Sequence, residues 1–156
     1  MIDGLFLIIF RSRYPEWLVL EVGADRPGDI RSVARWLPVT IAVITRLPEV
    51  PAHVEFFDSP EEVAQEKSAL IDALVPNGSL VLYADDARAP EFMARAAGRK
   101  VISFGFSPHA DVRAENFELL FESGEEHFPI GMSAQLTIGA TSAPLQVIGA
   151  VGEHML

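Results

Sequence analysis

The sequence predicts an α/β fold, in which a mostly parallel sheet with flanking helices is followed by a small antiparallel β part. Strand and helix patterns alternate as β-α-β-α-β-α-β between residues 17 and 105, which is typical of a parallel sheet with helices on its faces. After Gly105 the strand patterns follow one another directly and are joined by turns that contain Gly and Ser. Apolar residues make up 49% of the chain, enough to form a core.

The first elements follow from apolar periodicity. A run of β-formers predicts a strand over residues 17–22, before a turn that contains Gly and Pro. After Asp29, apolar side chains recur at helical spacing until Pro38 ends the helix: Ile30, Val33, Ala34 and Leu37. The uninterrupted apolar run at 39–45 predicts a second strand, which is buried on both faces.

Two further helices and the remaining strands complete the pattern. Ser59 followed by Pro60 and Glu62 is the signature of a helix start, and this helix runs to about residue 74. A turn at 76–78 leads to a third strand over 79–83, and a helix over 90–97 leads to a fourth strand over 100–105. Strands are also predicted at 111–121, 134–139 and 145–148.

These patterns divide one domain into a parallel core over 1–110 and an antiparallel extension over 111–156. Both ends look cut, so we expect a piece of a longer protein. The net charge of −10 excludes a nucleic-acid binder, because such a protein needs a basic surface. The longest N-terminal apolar run, 5–10, is far below the roughly 20 residues of a membrane span. The absence of Cys excludes thiolate chemistry.

Several polar residues follow the predicted strands at the edge where open α/β sheets bind ligands. Glu21 suits Mg²⁺ coordination, or it is a solvated residue at a strand end. His53 is a metal ligand, a phosphate contact or a surface residue. Asp85 and Asp86 either hold a ribose hydroxyl or a metal, or they cap the next turn.

Lys67 is the most informative residue on physical grounds. The helix that begins at Pro60 has an apolar stripe made of Val63, Leu70, Ile71 and Leu74. At about 100° per residue, Lys67 lies about 40° from Val63, in the middle of this stripe. Burial lowers the pKa of a lysine toward the reactive neutral amine, although a lysine can also extend its charged end along the helix into water.

No phosphate-binding loop of the G-x-x-x-x-G-K-[ST] type and no G-x-G-x-x-G motif is present in the sequence. Six segments nevertheless resemble, in order, the motifs of the Mur ligases. They are LEVGADRPGD at 20–29, the groups AVIT, PAH and FDS between 42 and 59, EVAQEK at 62–67, YADD at 83–86, VISFG and DVRAE between 101 and 115, and GEH at 152–154. They cover roughly residues 17–154 and belong to the family's central, ATP-binding domain.

The resemblance implies a cytoplasmic, ATP-dependent ligase of the branch that adds D-alanyl-D-alanine to UDP-N-acetylmuramoyl-tripeptide. ATP phosphorylates a carboxylate, and an amine attacks the acyl phosphate to form an amide. By the family's pattern, Glu21, His53 and Lys67 hold Mg²⁺, Lys67 is carbamylated, and Lys67 and His53 are catalytic. Asp85, Asp86 and His154 are implied to bind the nucleotide.

The family's phosphate loop would lie upstream of Met1, so we expect no turnover by the isolated chain. Two alternatives to the ligase assignment stay open. Arg46, Tyr83 and Met155 stand where the family has asparagines, which favours a non-catalytic α/β binding module derived from such a ligase. The other alternative is a ligase of the folylpolyglutamate-synthase or cyanophycin type.

Overall fold

The computed structural model describes residues 16–47, 56–122 and 128–152. In these ranges the chain forms three helices, α1 (Asp29–Ala34), α2 (Pro60–Asp72) and α3 (Ala89–Arg95). It forms six strands, β1 (Val39–Ile44), β2 (Leu74–Tyr83), β3 (Lys100–Gly105), β4 (Val112–Phe121), β5 (Pro129–Ile138) and β6 (Thr141–Ile148). No helix within these ranges is long and apolar enough to cross a bilayer.

All six strands belong to one sheet, in the order β1-β2-β3-β4-β5-β6. Strands β1 to β4 pair in parallel, and β4 to β6 pair antiparallel. The predicted α/β fold with an antiparallel part is therefore confirmed. The two parts are joined through a short parallel ladder, in which Phe104 and Gly105 of β3 pair with Val112 and Arg113 of β4.

The core lies between one face of the parallel strands and the helices α2 and α3. Its fully buried members include Ile71 of α2, Leu80 and Leu82 of β2, and Phe92 of α3. The side chains on the opposite face of β1 are exposed to solvent, and Val43 is 54% exposed. The prediction that β1 is buried on both faces was wrong for the described residues, because α2 and α3 cover one face only.

The predicted strand at 17–22 is also wrong, since these residues form neither a helix nor a strand. Their composition favours a strand, but a strand also needs a neighbour to which its backbone can bond. Within the described residues, β1 ends the sheet on that side and pairs only with β2. The apolar side chains of the segment are consequently open, and Val19 is 91% exposed.

The remaining differences concern the ends of elements. The helices α1 and α2 end at Ala34 and Asp72, earlier than predicted. The predicted turn at 76–78 lies within β2, where the register shifts after the pairing of Val39 with Leu74. The antiparallel strands β5 and β6 begin earlier than predicted, at Pro129 and Thr141.

Three hydrogen bonds between Ser103 and Asp111 fix β3 against the residue that precedes β4. The buried Ser103 donates from its backbone N and its Oγ to Asp111 Oδ2, at 2.8 and 2.7 Å. The Asp111 backbone N donates to Ser103 Oγ at 3.0 Å. The backbone hydrogen bond from Ser103, followed by its hydroxyl, lowers the pKa of Asp111. These hydrogen bonds hold the loop after β3 in place where the parallel strands end.

Candidate functional site

The carboxyl ends of β1, β2 and β3 meet at one edge of the sheet, at Ile44, Tyr83 and Gly105. They meet there because the three strands are parallel and adjacent. In open α/β sheets, ligands bind in the crevice outside this edge, which is called the ligand edge below. The loops that follow these strands are therefore the first place to look for a site.

A cleft with a volume of about 370 Å³ opens at this edge. Its walls come from the loop after β1, the first turns of α2 and the loop after β2. The residues that line it are Arg46, Leu47, Pro60, Glu61, Val63, Ala64, Tyr83, Asp85, Asp86, Ala87 and Arg88. The cleft is large enough for part of a small-molecule ligand.

The start of α2 forms one wall, and the sequence predicts it correctly. Ser59 is the N-cap, and its Oγ accepts from the Glu62 backbone N at 3.2 Å. Glu62 Oε2 in turn accepts from the Asp58 backbone N at 2.9 Å. These two hydrogen bonds tie the first turn of α2 to the residues that precede it, which fixes the direction in which α2 leaves this edge.

Asp85 and Asp86 each tie two loops of the edge together. Asp86 accepts from the backbone N of Leu47 through Oδ2 and from that of Arg88 through Oδ1, both at 2.9 Å. Asp85 Oδ2 accepts from the Phe106 backbone N at 2.6 Å. Asp86 therefore caps the next turn, as the sequence leaves open, whereas Asp85 bonds to the loop after β3 instead. Both carboxylates also line the cleft.

The charged groups of the cleft differ in how they are paired. Arg88 forms an ion pair with Glu61 across the cleft wall, with 2.6 Å between Nη2 and Oε1. Arg46 is exposed, and it forms no ion pair within the residues that the structure describes. Among the described residues that line the cleft, Arg46 is thus the cation without an anionic partner.

Lys67 lies on α2 one turn beyond Val63 and Ala64, which line the cleft. Its side chain is half-buried, as the apolar stripe predicts. Burial lowers the pKa of Lys67, and the nearby carboxylate of Asp86 opposes that shift only in part. Lys67 has no hydrogen bond or ion pair with any described residue. Its side chain thus lies one helical turn from the cleft wall, and the lowered pKa raises the neutral fraction of its amine.

We expect Lys67 to titrate below the ordinary lysine range. Reductive methylation with ¹³C-formaldehyde labels both lysines of the chain, and the exposed Lys100 serves as the reference in the NMR titration. Because the folded pKa is lowered, the unfolded state binds more protons in the window between the two values. Stability should therefore rise with pH through that window. A Lys67 resonance that titrates at the ordinary lysine value would contradict this expectation.

Glu66, the neighbour of Lys67, was not among the predicted site residues, and it is the most deeply buried charged side chain in the described ranges at 1% exposure. Its partner is Arg31 of α1. The helical wheel carries the signal that identifies it, since Glu66 lies about 60° from Val63 on the side opposite Lys67. Two adjacent charged residues on one apolar stripe are rarely both solvent-facing.

The other predicted site residues are not brought together by the described structure. Glu21 is exposed and lies in the segment without regular structure before α1. His53 and His154 lie outside the described residues. No group of three or more His, Asp or Glu side chains in the described ranges could hold a metal ion. Because His53 lies outside the described residues, the predicted Mg²⁺ ligands Glu21, His53 and Lys67 stay a prediction.

Sequence comparison places this architecture among known proteins. A family model described as the Mur ligase middle domain matches residues 5–149. The UDP-N-acetylmuramate–L-alanine ligase of Dinoroseobacter shibae is 33% identical over 120 residues, which are 77% of this chain and 24% of that protein. The corresponding ligase of Cereibacter sphaeroides is 30% identical over 127 residues, 81% of this chain and 25% of that protein.

Solved structures of MurF enzymes also match this chain. MurF from Acinetobacter baumannii superposes with a TM-score of 0.73 at 25% identity, covering 88% of this chain and 27% of that one. MurF ligase from Thermotoga maritima in complex with ADP has the same fold, with a TM-score of 0.70 at 24% identity over 92% of this chain and 31% of that one. The chain spans about a quarter of the length of its curated relatives. With its mixed sheet, its ligand-edge cleft and the match over residues 5–149, the chain belongs to the Mur ligase middle-domain family.

Proposed function

We propose that the protein containing this chain is an ATP-dependent ligase that adds D-alanyl-D-alanine to UDP-N-acetylmuramoyl-tripeptide. In this reaction ATP converts the peptide carboxylate to an acyl phosphate. The amine of D-alanyl-D-alanine then attacks that carbonyl, forming the amide and releasing phosphate. The chain contributes part of the central domain, and the reaction takes place in the cytoplasm.

One observation carries this proposal: a half-buried lysine with a lowered pKa stands beside the ligand-edge cleft of a Mur ligase middle domain. Asp85 and Asp86 line the same cleft. The solved structure of a D-alanyl-D-alanyl ligase from Acinetobacter baumannii, with a TM-score of 0.68 at 26% identity, supports D-alanyl-D-alanine as the acceptor. The ADP in the Thermotoga maritima structure supports ATP as the phosphate donor.

The raised neutral fraction of Lys67 has a chemical use. A neutral amine attacks CO₂, forming an N–C bond and releasing one proton, and the product is a carbamate anion. This change converts a desolvated cation that lacks an ion pair among the described residues into an anion beside the cleft. We assign this role to Lys67, and we assign nucleotide contacts to Asp85, Asp86 and His154. Mg²⁺, if held by Glu21, His53 and Lys67, would supply charge neutralisation of the phosphates.

The test is an ADP-release assay on the protein that contains this chain, with two acceptor pairs compared side by side. We expect ADP release with UDP-N-acetylmuramoyl-tripeptide and D-alanyl-D-alanine, with amide product detected by mass spectrometry. The isolated chain is the control, and it should release none. Turnover by the isolated chain would refute the expectation that its own residues are insufficient.

A second candidate is the addition of L-alanine to UDP-N-acetylmuramate. The curated relatives with 30% and 33% identity are ligases of that name. Product formation from UDP-N-acetylmuramate and L-alanine alone would select this candidate. Absence of ligation with either pair would favour the non-catalytic binding module or a ligase with another substrate, such as one of the folylpolyglutamate-synthase type.

A further inference from the structure

The deeply buried Glu66 is bonded to a single residue through both carboxylate oxygens. Oε1 accepts from the backbone N of Arg31 at 3.0 Å, and Oε2 lies 3.2 Å from Nε of the same residue. Burying a carboxylate is costly unless it is paired and hydrogen-bonded. This arrangement satisfies both conditions at the junction of α1 and α2, which pack against each other.

The backbone N of Arg31 is one of the N–H groups that the first turn of α1 leaves without an intrahelical acceptor. Such groups are usually satisfied by the side chain of the N-cap residue. The N-cap of α1 is Gly28, which has no side chain and adopts a φ of 96°. Glu66 therefore supplies from α2 the acceptor that α1 lacks locally.

This cap joins the segment before α1 to the helix that carries Lys67. The segment 21–28, which carries Glu21 and its Gly-containing turn, leads directly into α1. Lys67 follows Glu66 on α2, and the side chains of consecutive residues diverge by about 100°. The helix can thus direct Glu66 toward α1 and Lys67 toward Asp86 at the same time.

We propose that Glu66 is a positioning residue, which holds the turn before α1 in a fixed place relative to Lys67. It acts through Arg31 and does not touch the ligand itself. This inference rests on the proposed function for its purpose, because Glu21 and Lys67 are assigned to one site there. The effect of the Glu66–Arg31 cap can be measured on the chain itself, without substrate.

Amide hydrogen exchange of the full chain tests the cap. We expect Glu66→Ala to accelerate exchange at the Arg31 amide by roughly 10- to 100-fold, the range for losing a hydrogen bond to a charged acceptor. Glu66→Gln keeps an acceptor oxygen, so it should restore most of the protection. Asp72→Ala is the matched control, since it breaks the Asp72–Arg95 pair on the same helix and should leave Arg31 protected.

Distance measurement by pulsed electron paramagnetic resonance tests the positioning. The chain has no native Cys, so Gly23→Cys and Gln65→Cys place two spin labels at exposed sites on the turn and on α2. We expect Glu66→Ala to broaden the distribution of distances between the labels. Glu66→Gln and Asp72→Ala should leave the distribution as it is in the wild type.

The proposal is overturned if Glu66→Ala has the same Arg31 exchange rate and label distances as the wild type. It is also overturned if Asp72→Ala changes these two quantities as much as Glu66→Ala does. If Glu66→Ala does not fold, Glu66→Met keeps a side chain of similar length but removes both acceptor oxygens. An unchanged distance distribution in that variant would then overturn the positioning role. The ligase assay is separate. Its failure would contradict the proposed function but would not change what the exchange and distance measurements say about Glu66.

Discussion

Gly105→Ala is expected to lower the free energy of unfolding by about 2–4 kcal/mol, from two separable causes. Gly105 adopts a φ of +152°, a conformation that side chains with a Cβ rarely accept. An added Cβ would also lie far inside contact distance of Asp85 Oδ2 and 3.1 Å from its Cγ. Asp85 would have to release the Phe106 backbone N, which donates to it at 2.6 Å.

A mutant cycle separates strain from collision, with urea unfolding as the measurement. In an Asp85→Ala background the collision is absent, so Gly105→Ala should cost only the backbone part, about 1–2 kcal/mol. Gly98→Ala is the matched control, because Gly98 has a φ of +83° and open space around the missing Cβ. Equal costs of Gly105→Ala in both backgrounds would show that Asp85 does not determine the effect.

The alternating part of the fold was predictable from the sequence because apolar periodicity is a local signal. The run at 39–45 and the helix start at Ser59 lie where the structure has β1 and α2. The segment 17–22 has the same local signal, yet it forms no strand, because pairing depends on a neighbour that no local pattern specifies. The open face of β1 has a similar origin, since the covering helices are a tertiary property.

The site was predictable to the extent that topology fixes it. Parallel strands place their carboxyl ends together, which brings Asp85 and Asp86 to the cleft. The helical wheel places Lys67 on the buried side of α2. The hydrogen-bond partners of the polar residues were not predictable. Glu66 on α2 bonds to Arg31, 35 residues away, and Asp86 bonds to Leu47, 39 residues away. Such contacts arise from how elements pack.

Lys67→Met is expected to abolish most of the ligase activity without unfolding the domain. The substitution replaces a half-buried cation, whose pKa is lowered by desolvation, with an apolar side chain of similar length. The free energy of unfolding at neutral pH should therefore stay the same or rise. The same change removes the amine that we assign to the chemistry, and we expect a loss of about 100-fold or more in turnover.

The chain contains one other lysine, which provides the control. Lys100 is exposed at the start of β3, the end of that strand that lies away from the ligand edge. Lys100→Met makes the same replacement of lysine by methionine at a site away from the cleft. It should leave both the stability and the turnover of the protein unchanged, so an effect specific to Lys67 is separated from the general effect of the substitution.

The most direct test of the account is thus the rate of ADP release by the protein that contains this chain, measured for the wild type, Lys67→Met and Lys100→Met. Each is supplied with ATP, Mg²⁺, UDP-N-acetylmuramoyl-tripeptide and D-alanyl-D-alanine, and circular dichroism establishes that each is folded. We expect only Lys67→Met to lose acceptor-dependent ADP release, by about 100-fold or more. A folded Lys67→Met variant that turns over at the wild-type rate would contradict the claim that the cleft beside Lys67 is the working site.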